Sequence, residues 1–281
     1  MGCAWQAYLK LLPPWIRSEV DKFGMETLEE IRLRVGLHPY IMRSNSISEI
    51  QGIVSEDDLQ FVINIATNYS PWTTPTFRCG YITVEGGHRI GVCGDTVLDQ
   101  HGKIATYSSI TSLNLRLAKD FDGVATGLNH YNNSILIIGK PGTGKTTLLR
   151  DYIRQRSDAK SRIICVIDEK RELFPVIQGK SCYYPGNHTD IISGCNKLNG
   201  IHIMLRNMNP DTIAVDEITE EDDCIALLKA GWCGVHLLAT AHAQSREDLQ
   251  SRDLYKPLIT SGIFQYLVIL NEDKQWHIER I

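Results

Sequence analysis

The chain of 281 residues sets 29 Lys and Arg against 33 Asp and Glu, a formal net charge of −4, with 43% hydrophobic and 22% charged residues. This composition belongs to a folded globular protein of one large or two ordinary domains and excludes a disordered chain. A near-neutral chain has no bulk field to gather nucleic acid or anionic lipid, so no nucleic-acid partner is expected.

The first twenty residues lack the basic start and long apolar stretch of a signal peptide, and Pro13-Pro14 interrupt them early. No apolar run approaches the roughly 18 residues needed to span a bilayer. Gly2 does not complete a myristoylation signal, because Gln6 stands where Ser or Thr is required. The 8 cysteines include no CxxC pair, which reads as reduced thiols in a cytosolic chain without structural zinc. Ile16, Val20, Phe23, Leu28 and Ile31 fall at mixed helical spacings, with Gly24 separating two short helices. Residues 31–35 and 39–43 alternate as strands around a turn at Gly36. Ser55 with Asp58 caps a helix predicted over 56–68, with Leu59, Val62, Ile63 and Ala66 on one face. From 78 to 98 the pattern is β-like, with Gly86-Gly87 as a hairpin turn, and Gly80, Gly91 and Gly94 mark bulges or close backbone approach. A polar, turn-rich stretch at 129–133 divides an α+β domain (1–130) from a differently patterned second domain (131–281).

The second domain alternates strand and helix. Strands are predicted at 134–139, 162–169, 211–218 and 235–242, with helices at 145–156 and 220–230 and a mostly helical segment at 189–207. Ser245 with Asp248 caps a further helix, and 266–270 with 276–280 form a closing hairpin. Short apolar strands alternating with helices imply a mainly parallel sheet covered on both faces, an α/β fold.

Gly139, Lys140, Pro141, Gly142, Thr143, Gly144, Lys145 and Thr146 satisfy GxxxxGK[ST], directly after an apolar strand and before a helix. Such glycines let successive N–H groups face a β-phosphate at the positive end of the helix. Lys145 then reaches between β- and γ-phosphates, Thr146 offers a hydroxyl to Mg²⁺, and Thr147 continues the binding segment. A ligand-free Gly-rich turn is the bland alternative, and spacing and context both oppose it. About 70 residues on, the strand 213–215 ends in Asp216 and Glu217. Strand ends of open parallel sheets are where ligands sit, so Asp216 is a metal-ligand candidate and Glu217 a water-activating one. ATP and Mg²⁺ are the expected cofactors, and the chemistry is ATP hydrolysis.

Asn196-Lys197-Leu198-Asn199 comes within one residue of NKxD but lacks the guanine-reading carboxylate, and it precedes the acidic strand instead of following it. A GTPase is therefore not the reading. Asp168, Glu169 and Glu172 form a second acidic cluster at a strand end, open either to water or Mg²⁺ placement or to a solvated turn with Lys170 and Arg171. Thr240 and His242 end the fourth strand, where a polar group can sense the γ-phosphate, whereas His236 reads as structural.

The order of these motifs, with residues 29–36, 77–95 and 108–118 in the first domain, resembles the stage III sporulation protein AA family of endospore-forming Firmicutes, itself similar to type II and type IV secretion ATPases. The resemblance implies a RecA-like P-loop NTPase core with a parallel-rich sheet, preceded by a smaller α+β domain. It implies a homo-oligomer, a hexameric ring, in the mother-cell cytoplasm, peripheral at the forespore membrane, with sporulation channel membrane proteins as partners. Arg206, Pro210 and Asp211 match the approach to the acidic strand, and Thr240 with His242 match the TxH of the histidine box. Two departures stand out. Asp216 occupies a place commonly Gly in secretion ATPases, which supports direct Mg²⁺ handling by this strand, and Val235 stands where the box has its first His. The resemblance brings Arg89 and Arg116 forward as candidates to carry positive charge to the γ-phosphate, with ordinary structural arginines as the alternative. A RecA-like nucleic-acid motor and an ATP-binding scaffold with little turnover are the competing functions.

Overall fold

The computed structural model describes residues 2–43, 46–69, 76–160, 162–177 and 179–281. The chain forms two compact units, Met1–Asp120 and Phe121–Ile281.

In the first unit, α1 (Trp5–Leu11), α2 (Pro14–Phe23) and α3 (Glu56–Ala66) accompany β1 (Leu28–Arg34), β2 (Tyr40–Arg43), β3 (Ser46–Glu49), β4 (Tyr81–Thr83), β5 (Arg89–Leu98) and β6 (Ile104–Arg116). The strands form one antiparallel sheet in the order β3-β2-β1-β6-β5-β4. Alternate apolar residues, among them Ile31, Leu33, Ile90, Val92, Leu113 and Leu115, share a core with the three helices. Gly24 ends α2 in a left-handed backbone conformation (φ 71°). Leu28 and Ile31 therefore belong to β1, and the helical spacing read through them was accidental. Ser55 and Asp58 make the reciprocal capping box at the start of α3, satisfying two otherwise orphaned N–H groups. At Gly94 the β5–β6 register shifts, and a Cβ there would lie 2.0 Å from the Ser109 carbonyl oxygen. Glycine is what allows this bulge.

The second unit contains β7 (Ile135–Gly139), α4 (Lys145–Lys160), β8 (Ile164–Asp168), the short hairpin β9 (Val176–Ile177) and β10 (Lys180–Ser181), β11 (Thr189–Ser193), α5 (Lys197–Asn207), β12 (Thr212–Val215), α6 (Glu221–Trp232), β13 (His236–Ala241), α7 (Arg246–Ser251), α8 (Lys256–Thr260), β14 (Tyr266–Leu270) and β15 (Trp276–Arg280). Seven strands form the main sheet, β11-β8-β12-β13-β7-β14-β15, parallel except for the final hairpin. Helices α5 and α6 pack Ile201, Met204, Leu227 and Ala230 against Ile213, Val215, Leu237 and Ala239 on one face. Helix α4 covers the other. The segment 121–133 is bound to α4: Ala125 N donates to Asp151 Oδ2 (2.8 Å), Arg154 Nη2 to the Phe121 carbonyl (3.0 Å) and Arg156 Nη2 to the Asn132 carbonyl (2.7 Å).

One expectation in this unit is corrected. Residues 189–193 are not helical: Thr189–Ser193 pairs in parallel with β8 and extends the sheet by a strand. Gly194, at φ 77°, breaks the chain direction, and Asn196 caps α5 by accepting the Asn199 N–H at 2.9 Å. Two adjacent isoleucines beside an open sheet edge favour pairing over a helical turn.

Candidate functional site

The parallel topology brings the C-terminal ends of β7, β13, β12 and β8 to one edge of the second unit. Strand β13 lies between the strand that feeds the glycine loop and the strand that ends in acids. The loop itself is shaped by backbone geometry. Gly142 (φ 81°) and Gly144 (φ 101°) adopt conformations that side chains resist, and a Cβ on Gly139 would lie 2.7 Å from Thr143 Oγ1 and 3.0 Å from the Leu270 carbonyl oxygen. Thr143 Oγ1 donates to the Lys140 carbonyl at 2.9 Å, and Lys140 Nζ pairs with Glu272 at 2.5 Å. Pro141 is exposed at the tip, and Thr147 lies half-buried in the first turn of α4.

Lys145 is buried, and its Nζ donates to the carbonyls of Gly139 and Lys140 (2.9 Å each) and contacts His242 Nδ1 at 3.0 Å. Burial lowers its pKa, while the charges of Asp216 and Glu217 oppose that shift. His242 Nε2 lies 2.8 Å from Glu217 Oε1. An ammonium can only donate and a carboxylate can only accept, so the ring is the neutral Nε2–H tautomer, accepting from Lys145 and donating to Glu217. Glu217 also pairs with Lys170. Burial pushes its carboxyl up, but the bonds to Lys170 and His242 outweigh this and hold it below the usual range. Its backbone is left-handed (φ 50°), and its N–H donates to Thr240 Oγ1 at 2.8 Å.

Thr240 is the pivot of the arrangement. Its hydroxyl accepts from Glu217 N and donates to Asp216 Oδ1 at 2.6 Å, while Asp216 Oδ2 accepts the Thr146 hydroxyl at 2.7 Å. The glycine loop and the acidic strand thus meet through Thr146 and Asp216. This pair fits Mg²⁺, a hard cation that takes one or two protein oxygens and completes its octahedron with phosphate and water. Among the described residues no group of three or more His, Cys, Asp and Glu is placed to hold a metal ion. The curled loop, with open space around Gly142 and Gly144, fits a phosphate chain.

The second acidic cluster divides. Asp168 is 1% exposed; its Oδ1 accepts Glu172 N (2.8 Å) and Leu173 N (3.2 Å), and its Oδ2 accepts Phe174 N (2.8 Å). Burial, with the Asp216 charge adding to it, raises its pKa to about 6 against the pull of those N–H donors. Glu169 pairs with the buried Lys197 at 2.6 Å, and Lys197 lies 3.2 Å from Asp223 as well. The near-NKxD segment is therefore a helix cap and an ion-paired lysine. Lys170 was named in sequence only as a possible partner in a solvated turn and Lys197 only within the near-NKxD match; their pairing with Glu217, and with Glu169 and Asp223, depends on closeness in space.

Arg89 and Arg116 lie in the first unit as direct cross-strand neighbours, with Arg116 opposite Glu30 on its other side. The Arg89 guanidinium lies 3.9 Å from the centre of the Tyr81 ring.

Comparison with known proteins bears on both units. The family model described as sporulation stage III, protein AA matches residues 7–279. The stage III sporulation protein AA of Bacillus subtilis (strain 168) is 33% identical over 267 residues, covering 92% of this chain and 87% of that protein. Among solved structures, the pilus retraction motor PilT with bound ADP aligns at TM-score 0.61 and 18% identity over 90% of this chain and 76% of its own. The Legionella pneumophila ATPase DotB aligns at TM-score 0.57 and 16% identity over 94% and 77%. At such identities the likeness establishes the fold, an α/β P-loop core with a parallel-rich sheet preceded by a smaller α+β unit.

Proposed function

The chain belongs to the stage III sporulation protein AA family, and we propose that it is a Mg²⁺-dependent ATPase of the secretion-motor kind. In this reading it acts in endospore formation, energising assembly of, or transport through, a channel between mother cell and forespore. The observation that carries the proposal is the junction of glycine loop and acidic strand, where Thr146, Asp216 and Thr240 join in one hydrogen-bonded line. ATP is preferred over GTP because Lys197, in the near-match to the guanine-reading motif, is committed to Glu169 and Asp223.

Gly139 to Thr147 bind the phosphates, and Lys145 neutralises them. Thr146 and Asp216 would hold Mg²⁺, which when bound supplies charge neutralisation at the transferred phosphoryl group. Glu217 orients the attacking water and receives its proton, with His242 steering the carboxylate. Asp168 serves the loop 172–174, since both its oxygens are taken by main-chain donors. Glu169 is held by Lys197. Additional positive charge at the transferred phosphate is assigned to Arg89 or Arg116; the corresponding Ala variants are expected to lower kcat with nucleotide affinity retained, and unchanged kcat in both removes that role. A hexameric ring at the mother-cell face of the forespore membrane, held there by channel membrane proteins, completes the proposal. The described residues include no helix long and apolar enough to cross a membrane.

One observation favours the scaffold reading: Glu217 is already engaged by Lys170 and His242, which lowers its basicity. Calorimetric titration of the wild type and Lys145→Ala with Mg·ATP tests the common premise. Binding by the wild type and its loss in the variant is expected; equal binding by both would contradict a phosphate-loop site.

A further inference from the structure

At the opposite edge of the second unit's sheet, where β8, β12 and β13 begin, an open cavity of about 420 Å³ is lined by Arg162, Asp211 and His236 among others. That volume lies in the range of small-molecule sites, roughly 300–1,000 Å³. Leu205, Pro210 and Val235 give it an apolar wall. Nothing in the nucleotide reading uses this cavity.

Its charge is unbalanced. Arg162 has no hydrogen-bond or ion-pair partner among the described residues, although it is half-buried. Behind the cavity lies Arg156 of α4, 3% exposed, whose Nη atoms donate only to neutral groups: the Asn132 and Asn133 carbonyls (2.7 and 3.2 Å) and the Tyr152 hydroxyl (3.4 Å). Asp211 is the nearby carboxylate, and one of its oxygens already accepts the Ile163 N–H at 3.0 Å. Two guanidiniums therefore share one partly committed acid. Burial, followed by the charges of Arg156 and Arg162, holds the His236 imidazole below its ordinary pKa against the pull of Asp211.

Thr212 pairs with His236 across the strands, and their neighbours Ile213 and Leu237 face α5 and α6, so His236 faces the side that α4 and its Arg156 cover.

We propose that this cavity binds a small phosphate monoester, its oxyanion held by Arg162 and His236 and its organic part lying along Leu205, Pro210 and Val235. Guanidinium and imidazole donors suit a phosphate oxyanion. Its negative charge balances the Arg156–Arg162 excess and favours the protonated ring of His236.

The probe is inorganic phosphate, added to the full chain carrying Lys145→Ala so that the glycine loop does not compete. The readout is the His236 ring resonance by NMR, identified by its disappearance in His236→Gln. Phosphate is expected to move this resonance and raise the His236 pKa, beyond the effect of sodium chloride at equal ionic strength. Arg162→Gln is expected to weaken phosphate binding about tenfold, as loss of a charge-assisted hydrogen bond does. Asp211→Asn, which keeps an acceptor for Ile163 N–H, is expected to tighten it. A resonance that follows sodium chloride alone, or an affinity that either variant leaves unchanged, would overturn the proposal.

Discussion

Around the glycine loop, one ammonium, one imidazole and one hydroxyl decide what each acid is free to do. Lys145 is satisfied by two carbonyls and His242, His242 fixes one oxygen of Glu217, and Thr240 fixes the Glu217 N–H and one oxygen of Asp216. The spacing of the glycine-loop motif and the acids at a strand end were legible because they are local in sequence. The buried role of Asp168 was not, because its three partners are main-chain N–H groups whose approach depends on how 172–174 turns back. The same is true of the Thr240 bridge, which exists because β13 lies beside β12. Asp168 also gives a pH expectation. Its folded pKa of about 6 lies above its ordinary value of 3.8, so its contribution to stability is full below pH 3.8 and is lost as pH rises towards and through 6. The stability margin of the wild type over Asp168→Asn, measured by urea unfolding, should shrink over that window and level off above it. At neutral pH the variant should still be less stable by about 1–3 kcal/mol, since an amide nitrogen faces an N–H donor. A margin that does not vary with pH would contradict this account of Asp168.

Among the elements, those with a strong local signal were readable. The helix α3 announced itself through Ser55 and Asp58, and its capping box satisfies N–H groups that would otherwise be orphaned. Ser55→Ala should cost about 1 kcal/mol of stability by chemical denaturation; no loss would mean that α3 is fixed by its packing alone. The elements misread from sequence were those where tertiary pairing overrides spacing. Leu28 and Ile31 suit a helix by position but sit in β1, and Thr189–Ser193 reads together with the helix that follows it but pairs with β8. The thirteen-residue β6 was not read as a strand, because its run of serines and threonines between 106 and 112 gives no clean apolar alternation.

At the scale of the whole molecule, a P-loop unit follows an antiparallel α+β unit in the chain, the fold shared with the ATPase DotB and the pilus retraction motor PilT. A net charge of −4 gives the chain no general attraction for polyanions, so single-stranded DNA should leave its turnover unchanged at moderate salt. Sequence patterning placed a division at 129–133 and a candidate phosphate-binding loop at 139–147, because both rest on signals that are local in the chain. It left open which acid is the candidate for activating water, because that depends on which acids are already engaged. The most direct test is steady-state ATP hydrolysis by the purified wild type and Glu217→Gln, with nucleotide binding measured for each. The account expects hydrolysis by the wild type and a fall of about a hundredfold or more in the variant, with binding retained. Equal turnover by both proteins would contradict the assignment of Glu217 as the water-activating residue.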